Sequence, residues 1–148
     1  MTITQKRKLL RSLFAVGIVV ARGTMAAAPA QTPGTNLINI SGSVAGGSGN
    51  HAIFVAMWDS TGFLKHPAQE IRIAPHAEPH FQFQAPPGRW ALSAYEDNND
   101  NGKLDMGMFG PKEPAGFWHP FHVWRKPRFD DVAVQVDHDT TDANIALK

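Results

Sequence analysis

Short runs of β-branched and aromatic residues, each bounded by Gly, Pro or Asn, are the feature that most limits how this chain can fold. Runs of this kind are typical of β-strands. Residues 51–58, HAIFVAMW, are almost continuously apolar, which indicates a central strand covered on both faces. The other runs alternate apolar and polar residues, and no segment of useful length has a helical period. The runs are 36–44, 51–58, 71–73, 81–83, 89–96, 132–136 and 145–147.

This pattern predicts an all-β fold, a single seven-stranded antiparallel β-sandwich of the immunoglobulin or transthyretin type. No more than a short helical turn is expected after residue 40. Residues 98–128 form a long irregular stretch, and loops of that length in compact domains are often functional. The apolar positions of the runs predict five core residues: Val55, Trp90, Leu92, Val134 and Ile145.

The N-terminus has the layout of a secretory signal peptide. A basic start precedes an uncharged apolar run at residues 13–21, which is much shorter than the ~20 residues of a stable membrane span. Small residues follow, and Ala28 and Ala30 suit positions −3 and −1 of a cleavage site. Cleavage is therefore expected before Gln31, with cleavage after Ala26 as the alternative.

We expect a signal peptide at residues 1–30 and a β-sandwich domain at residues 31–148, periplasmic or secreted, with no membrane span after signal removal. Removing the leader takes away five of the 14 basic residues and leaves nine against 13 acids, a net charge of −4. No basic patch suited to nucleic acid remains. The chain has no Cys, which excludes disulfides and thiolate metal sites.

Residues 97–105, DNNDNGKLD, have the ligand spacing of a calcium loop. Hard-oxygen side chains occupy positions 1, 3, 5 and 9, and Gly102 at position 6 permits a sharp turn. Met108 stands at position 12, where an EF-hand has a bidentate Glu, and Glu113 is a candidate to return from the next loop. The other interpretation is a metal-free turn in which Asp and Asn side chains bond to nearby amides. The predicted calcium ligands are Asp97, Asn99, Asn101, the main-chain carbonyl of Lys103, and Asp105.

Three stretches carry a resemblance to a known family: PGRWALSAYEDNNDNGKLD at 87–105, FGPKEPAGF at 109–117 and PRFDDVA at 127–133. The chain resembles the domain of unknown function 2141 family of exported bacterial proteins over about residues 37–147. The resemblance implies a small exported β-sandwich whose biochemical role is unassigned. This chain has Trp90 where the family usually has Tyr, Glu96 where it commonly has His, and Trp-His-Pro at 118–120 in place of Ser-Asn-Asn.

A dense aromatic group, Phe117, Trp118, Phe121 and Trp124, lies in the loop 117–124. It is either a platform for a carbohydrate or peptide, or a loop that closes the core. His119 and His122 suit copper by ligand type, but Pro120 between them disfavours a regular helical face.

The sequence favours a non-enzymatic binding or interaction module of the cell envelope. No Ser lies in a GxSxG elbow, and paired carboxylates occur only within the acidic loop. Two alternatives stay open. The first is a carbohydrate- or peptide-binding module that uses loop 117–124, and the second is a metal-dependent hydrolase. The partner, in the envelope or outside the cell, and the oligomeric state are not indicated.

Overall fold

A computed structural model describes residues 36–122 and 125–148 of this chain. The expected signal peptide and cleavage region, and Trp124 of the aromatic loop, lie outside the described residues. The described part holds ten strands and one four-residue helix. They are β1 (Ile38–Ala45), β2 (Ala52–Trp58), β3 (Gln69–Ile73), β4 (His80–Ala85), β5 (Gly88–Asp97), β6 (Met106–Gly107), β7 (Gly110–Pro111), β8 (Ala115–Phe117), α1 (Phe129–Val132), β9 (Val134–Val136) and β10 (Ile145–Ala146).

The strands form two main sheets and a separate hairpin. β1 lies at the centre of the first sheet, antiparallel to β4 and parallel to β10. The second sheet has the order β3-β2-β5-β8, and β9 also pairs with β5. β6 and β7 pair only with each other. β5, the longest strand, is therefore the element to which most of the second sheet is attached.

One hydrophobic cluster receives side chains from both main sheets. β4 alternates strictly between buried and exposed positions, and its Phe81 and Phe83 point into the cluster. β2 is buried along most of its length because β3 and β5 pair with it on its two sides and its Ile53, Val55 and Met57 lie in the cluster. The sequence pattern thus decides which face of each strand lies in the core.

The all-β class predicted from the sequence is confirmed, but the strand count differs. Ten strands replace the predicted seven, because three short ones, β6, β7 and β8, lie within the stretch predicted to be irregular. Val132 ends α1 rather than beginning a strand: the carboxylate of Asp131 accepts the N–H of Arg128 at 2.7 Å and closes a helical turn. That turn is the only α-helix among the described residues, as expected.

The antiparallel prediction is wrong for β10, which runs parallel to β1. The pairing begins before β10 itself, with a bridge between Ile40 and Thr140. It continues to the N–H of Leu147, which donates to the carbonyl of Ala45 at 2.8 Å. Side-chain alternation is the same in parallel and antiparallel strands, so the sequence pattern does not fix the direction of pairing.

The predicted core residues are buried or packed against the core. Val55, Leu92 and Ile145 are at most 1% exposed. Trp90 and Val134 are half-buried and pack against the cluster from its margin. Within the described residues, no helix has the length and apolar character needed to cross a bilayer.

Candidate metal centre and neighbouring hairpin

The acidic loop begins where β5 leaves the sheet, and its first residue is buried. Asp97 is only 2% exposed although it carries a carboxylate. Its Oδ1 accepts the N–H of Asn101 at 3.1 Å and its Oδ2 accepts the N–H of Gly102 at 2.6 Å. A buried carboxylate needs such partners, because burial without them is costly. Asp97 therefore fixes the start of the loop by binding the backbone of its far side.

The loop turns through two residues in the left-handed region. Asp100 has φ 56° and Gly102 has φ 72°. Asp is among the few side chains that adopt this conformation readily, and Gly adopts it without steric cost. These torsions bring the middle of the loop back over Asp97, as the predicted glycine turn at position 6 requires.

Three predicted ligands come together at Asp105. The Nδ2 of Asn99 donates to Asp105 Oδ2 at 2.7 Å, and the Nδ2 of Asn101 donates to Asp105 Oδ1 at 3.2 Å. The N–H of Lys103 donates to Asn101 Oδ1 at 2.8 Å, so Lys103 joins this network through its amide. The structure thus gathers Asn99, Asn101 and Asp105 in one group, while Asp97 is engaged by backbone amides beside it.

In this arrangement the loop is a hydrogen-bonded Asx turn. Among the described residues, no three His, Asp or Glu side chains form a group that could hold a metal ion. The converging set consists of one carboxylate and two amides. Both amides present nitrogen, not oxygen, to Asp105. A hard cation would require each amide to turn over, which exchanges Nδ2 for Oδ1 at the same place.

Glu113 connects the two ends of the loop. It is 6% exposed, and its Oε1 accepts the N–H of Asn98 while its Oε2 accepts the N–H of Asp105, each at 3.0 Å. The sequence offered Glu113 as an additional ligand, whereas here it is the acceptor for two loop amides. Its role could not be read from the sequence, because Glu113 is eight residues from Asp105 and beyond the hairpin.

Glu96 is a second buried glutamate, and it was not among the site residues predicted from the sequence. It is 0% exposed, and its carboxylate accepts the hydroxyl and N–H of Ser48, both at 2.7 Å, and the N–H of Gly49 at 2.9 Å. Desolvation raises the pKa of Glu96, but these bonds and the N–H of His51 outweigh it and hold the pKa below its ordinary value. The alternation along β5 indicates that Glu96 is buried, because Glu96 lies on the same face of the strand as the buried Leu92 and Ala94.

Tyr95 lies beside these acids, and its ring stacks on Phe54 at a centroid distance of 5.2 Å. Desolvation, followed by the charges of Glu70, Asp97 and Glu113, raises its pKa to about 12. The phenol therefore responds to the charge state of the loop.

The hairpin β6–β7 follows the acidic loop directly and carries an apolar tip. Met108 and Phe109, the two residues that connect the strands, are 91% and 89% exposed, and Met106 is 63% exposed. Beneath the tip, the N–H of Lys112 donates to the carbonyl of Asp105 at 2.8 Å. Glu113 and Lys112 thus connect the base of the hairpin to the loop.

The aromatic loop at 117–124 does not form one exposed platform in its described part. Trp118 packs against the core, and Phe117 lies 6.3 Å from Phe63, between ring centroids. Phe121 instead lies under the guanidinium of Arg125, 5.3 Å from its ring centroid. Packing of Trp118 on the core is what a core-closing loop requires.

The paired histidines of the same segment, His119 and His122, are both exposed. They belong to no metal-capable group among the described residues.

Together, the two sheets and the Asx-rich turn define a small all-β domain with a hydrogen-bonded acidic loop. The chain belongs to the domain of unknown function 2141 family, described as an uncharacterized protein conserved in bacteria, whose model matches residues 44–144. The matched region contains the acidic loop, the hairpin and both buried glutamates, and it confirms the resemblance seen in the sequence. No curated protein and no solved structure matches the chain.

Proposed function

We propose that this chain is a non-enzymatic interaction module of the bacterial cell envelope, whose acidic loop binds Ca²⁺ and holds the neighbouring hairpin in position for a partner. The single observation that supports it is the connection between loop and hairpin through Glu113, which binds amides at both ends of the loop. A loop braced in this way presents a fixed surface. Rigid presentation lowers the entropic cost of binding.

The calcium proposal is supported by the grouping of side chains around Asp105. If the amides of Asn99 and Asn101 turn over, their oxygens take the places that the nitrogens now hold near the Asp105 carboxylate. Carboxylate, amide and carbonyl oxygens are the ligands that Ca²⁺ takes. Asp97, already held by two amides, adds a fixed negative charge next to them. The cation would replace with ion–oxygen contacts the bonds that Oδ1 of Asn99 and Oδ1 of Asn101 now accept from the N–H groups of Asn101 and Lys103.

A non-enzymatic role is supported by how the buried acids are used. Glu96, Asp97 and Glu113 are the buried charged residues among the described ones, and each accepts backbone N–H bonds. A carboxylate whose oxygens already accept backbone N–H groups has fewer free lone pairs with which to take a proton from a substrate. No observation favours the hydrolase alternative.

Calcium-dependent melting tests the proposal. Calcium modules outside the cytosol often bind with Kd about 10⁻⁴–10⁻³ M. Binding to the native state alone stabilises it by RT ln(1 + [L]/Kd), which at about 1 mM Ca²⁺ and these Kd values is about 0.4–1.4 kcal/mol. Millimolar Ca²⁺ should therefore raise the Tm above that in chelator, and Asp105→Asn and Asp97→Ala should abolish the rise.

Asp100→Asn is the matched control, because it removes one charge from the same loop and Asn tolerates the same left-handed backbone. It should keep most of the calcium response. If chelator and Ca²⁺ give the same Tm for the unmodified chain, the loop is a hydrogen-bonded turn and the metal proposal fails.

Export is tested by the mature N-terminus. Mass spectrometry of the protein recovered from its host should place the first residue between Ala27 and Gln31. Retention of Met1 to Arg11 in the accumulated protein would contradict export.

A further inference from the structure

We propose that the tip of the β6–β7 hairpin is an insertion site for an anionic lipid surface. The hairpin carries the large apolar side chains of highest exposure among those described: Met108 91% and Phe109 89% at the tip, and Met106 63% on β6. Isolated exposed apolar residues are ordinary, but Met108 and Phe109 side by side at the end of a projection, with Met106 two residues before Met108, mark a contact surface.

The tip is unusual for a tight turn. Two-residue hairpin connections favour Asn, Asp and Gly, because those residues suit the turn backbone. Here Met108 and Phe109 occupy both connecting positions, beyond the last residue pair, Gly107–Gly110. Local turn chemistry therefore does not account for these residues.

The hairpin is held from below, so its tip is not a loose loop. The N–H of Lys112 binds the carbonyl of Asp105, and Glu113 binds the N–H of the same residue. Two residue pairs rise above this base, a projection of roughly 7 Å at the strand spacing. Apolar faces of interfacial segments enter the headgroup boundary by roughly 5–10 Å, so the projection matches the depth of such a contact.

Two exposed lysines adjoin the hairpin. Lys103 precedes the hairpin and Lys112 ends it, and both are exposed without a salt bridge in the described part of the chain. The stem of Lys112 lies against Gly107, which directs it along the hairpin. Of the neighbouring acids, Glu113 is buried and Asp105 accepts bonds from two amides, whereas Asp100 is exposed on the turn before Lys103. Apolar side chains with adjacent ammonium groups are the combination that binds anionic bilayers.

A convex tip of two residues also favours lipid over a protein surface. Protein partners of stable interfaces bury about 800 Å² on each side, far more than two side chains offer. A bilayer needs no shaped pocket, since the headgroup layer deforms around an inserted side chain. This inference rests on the proposed function only in taking the acidic loop as the support of the hairpin.

Vesicle binding tests the inference with four forms of the full chain. They are the unmodified protein, Met108→Ser with Phe109→Ser, Lys103→Gln with Lys112→Gln, and the control Leu37→Ser, which removes a 49% exposed side chain elsewhere. Each is sedimented with phosphatidylglycerol vesicles and with phosphatidylcholine vesicles, in Ca²⁺ and in chelator. Any contribution of the N-terminal apolar run is common to all four and cancels in the comparison.

The unmodified protein and Leu37→Ser should partition equally onto phosphatidylglycerol, and more weakly onto phosphatidylcholine. The tip variant should lose at least about tenfold of its partition coefficient, and the lysine variant should lose most of its preference for the anionic lipid. All four should melt alike because the changed side chains are exposed.

Equal vesicle binding by the tip variant and the unmodified protein would overturn the inference. So would tip-dependent dimers in sedimentation velocity with no vesicle binding, which would assign the tip to a second copy of the chain. A calcium-dependent Tm without vesicle binding would remove this inference and leave the metal proposal standing. Vesicle binding that is equal in Ca²⁺ and in chelator, together with no effect of Ca²⁺ on the Tm, would leave this inference standing and remove the metal proposal.

Discussion

Glu96 binds Ser48 twice, accepting both its N–H and its hydroxyl at 2.7 Å, across 48 residues of chain. The contact joins the end of β5 to the glycine-rich connection between β1 and β2. Because the carboxylate is 0% exposed, these bonds supply what water would otherwise provide. Glu96 therefore holds in place a glycine-rich connection that has few side chains to pack against the rest of the domain.

Replacing Glu96 by Gln should destabilise the protein by about 2 kcal/mol, since hydrogen bonds to a charged acceptor are worth about 1.5–3 kcal/mol and Gln turns one acceptor into a donor facing N–H groups. Urea unfolding measures the change. Glu78→Gln, at an exposed position, is the control and should stay within about 0.5 kcal/mol of the unmodified protein. Equal stability of both variants would show that Glu96 contributes no more than a surface acid.

Stability should fall as the solution is acidified. The folded-state pKa of Glu96 is lowered from 4.5, so its contribution is complete above that pH and is lost as pH falls through the lower folded value. The pKa values of Asp59, Asp131 and Asp139 are lowered too, which adds to the same trend. Urea unfolding above and below pH 4.5 should show the loss. Ser48→Ala, which lacks one donor to Glu96, should show a smaller one, and an unchanged dependence would remove Glu96 as a contributor.

The pKa of Tyr95 should depend on the charge of the acidic loop. It is the only Tyr in the chain, so tyrosinate absorbance follows it alone. In the folded protein it should stay protonated between pH 10.0 and about 12, and its contribution to stability is lost as pH rises through that interval. Asp97→Asn should lower its pKa because one of the repelling charges is removed.

Added Ca²⁺ should lower the pKa of Tyr95 in the same way, since a bound cation offsets the charge of Asp97. Asp100→Asn again provides the comparison. A titration that is unaffected by both Ca²⁺ and Asp97→Asn would place the loop charge too far away to act on the phenol.

Gly42→Ala should destabilise the protein by about 1–3 kcal/mol, the usual effect of overpacking. A methyl group at Gly42 would fall on the backbone carbonyl of Ala143, where the segment paired with β1 passes closely. Gly88→Ala is the matched change, because its nearest atom would be 3.8 Å away. Thermal melting should show a lower Tm for the first variant and little change for the second. Similar Tm values would mean that the 139–147 segment does not pass so near to β1.

The sequence predicted the strands in which the pattern of side chains itself decides which face is buried. The alternation of Phe81 and Phe83 and the apolar run of β2 follow from which face is covered. The parallel pairing of Ile145 with Val44 could not be predicted, because periodicity carries no information about partner or direction. In the candidate site, Asp97 and Gly102 occupy the turn that local spacing requires. The brace from Glu113 depends on a contact made only after the hairpin folds back.

The pairing of the last strand with the first bears on when the core becomes closed. Residues 38–45 have β4 on one side, and their other side stays open until residues 139–147, about a hundred positions later, come alongside. Contacts so distant in sequence form slowly, because the intervening chain must first be ordered. Until that late step, the edge of β1 exposes unpaired amides and carbonyls. A chain shortened by those few residues should therefore leave the amides and carbonyls on this side of β1 unpaired, at an exposed edge that offers a pairing site to another chain.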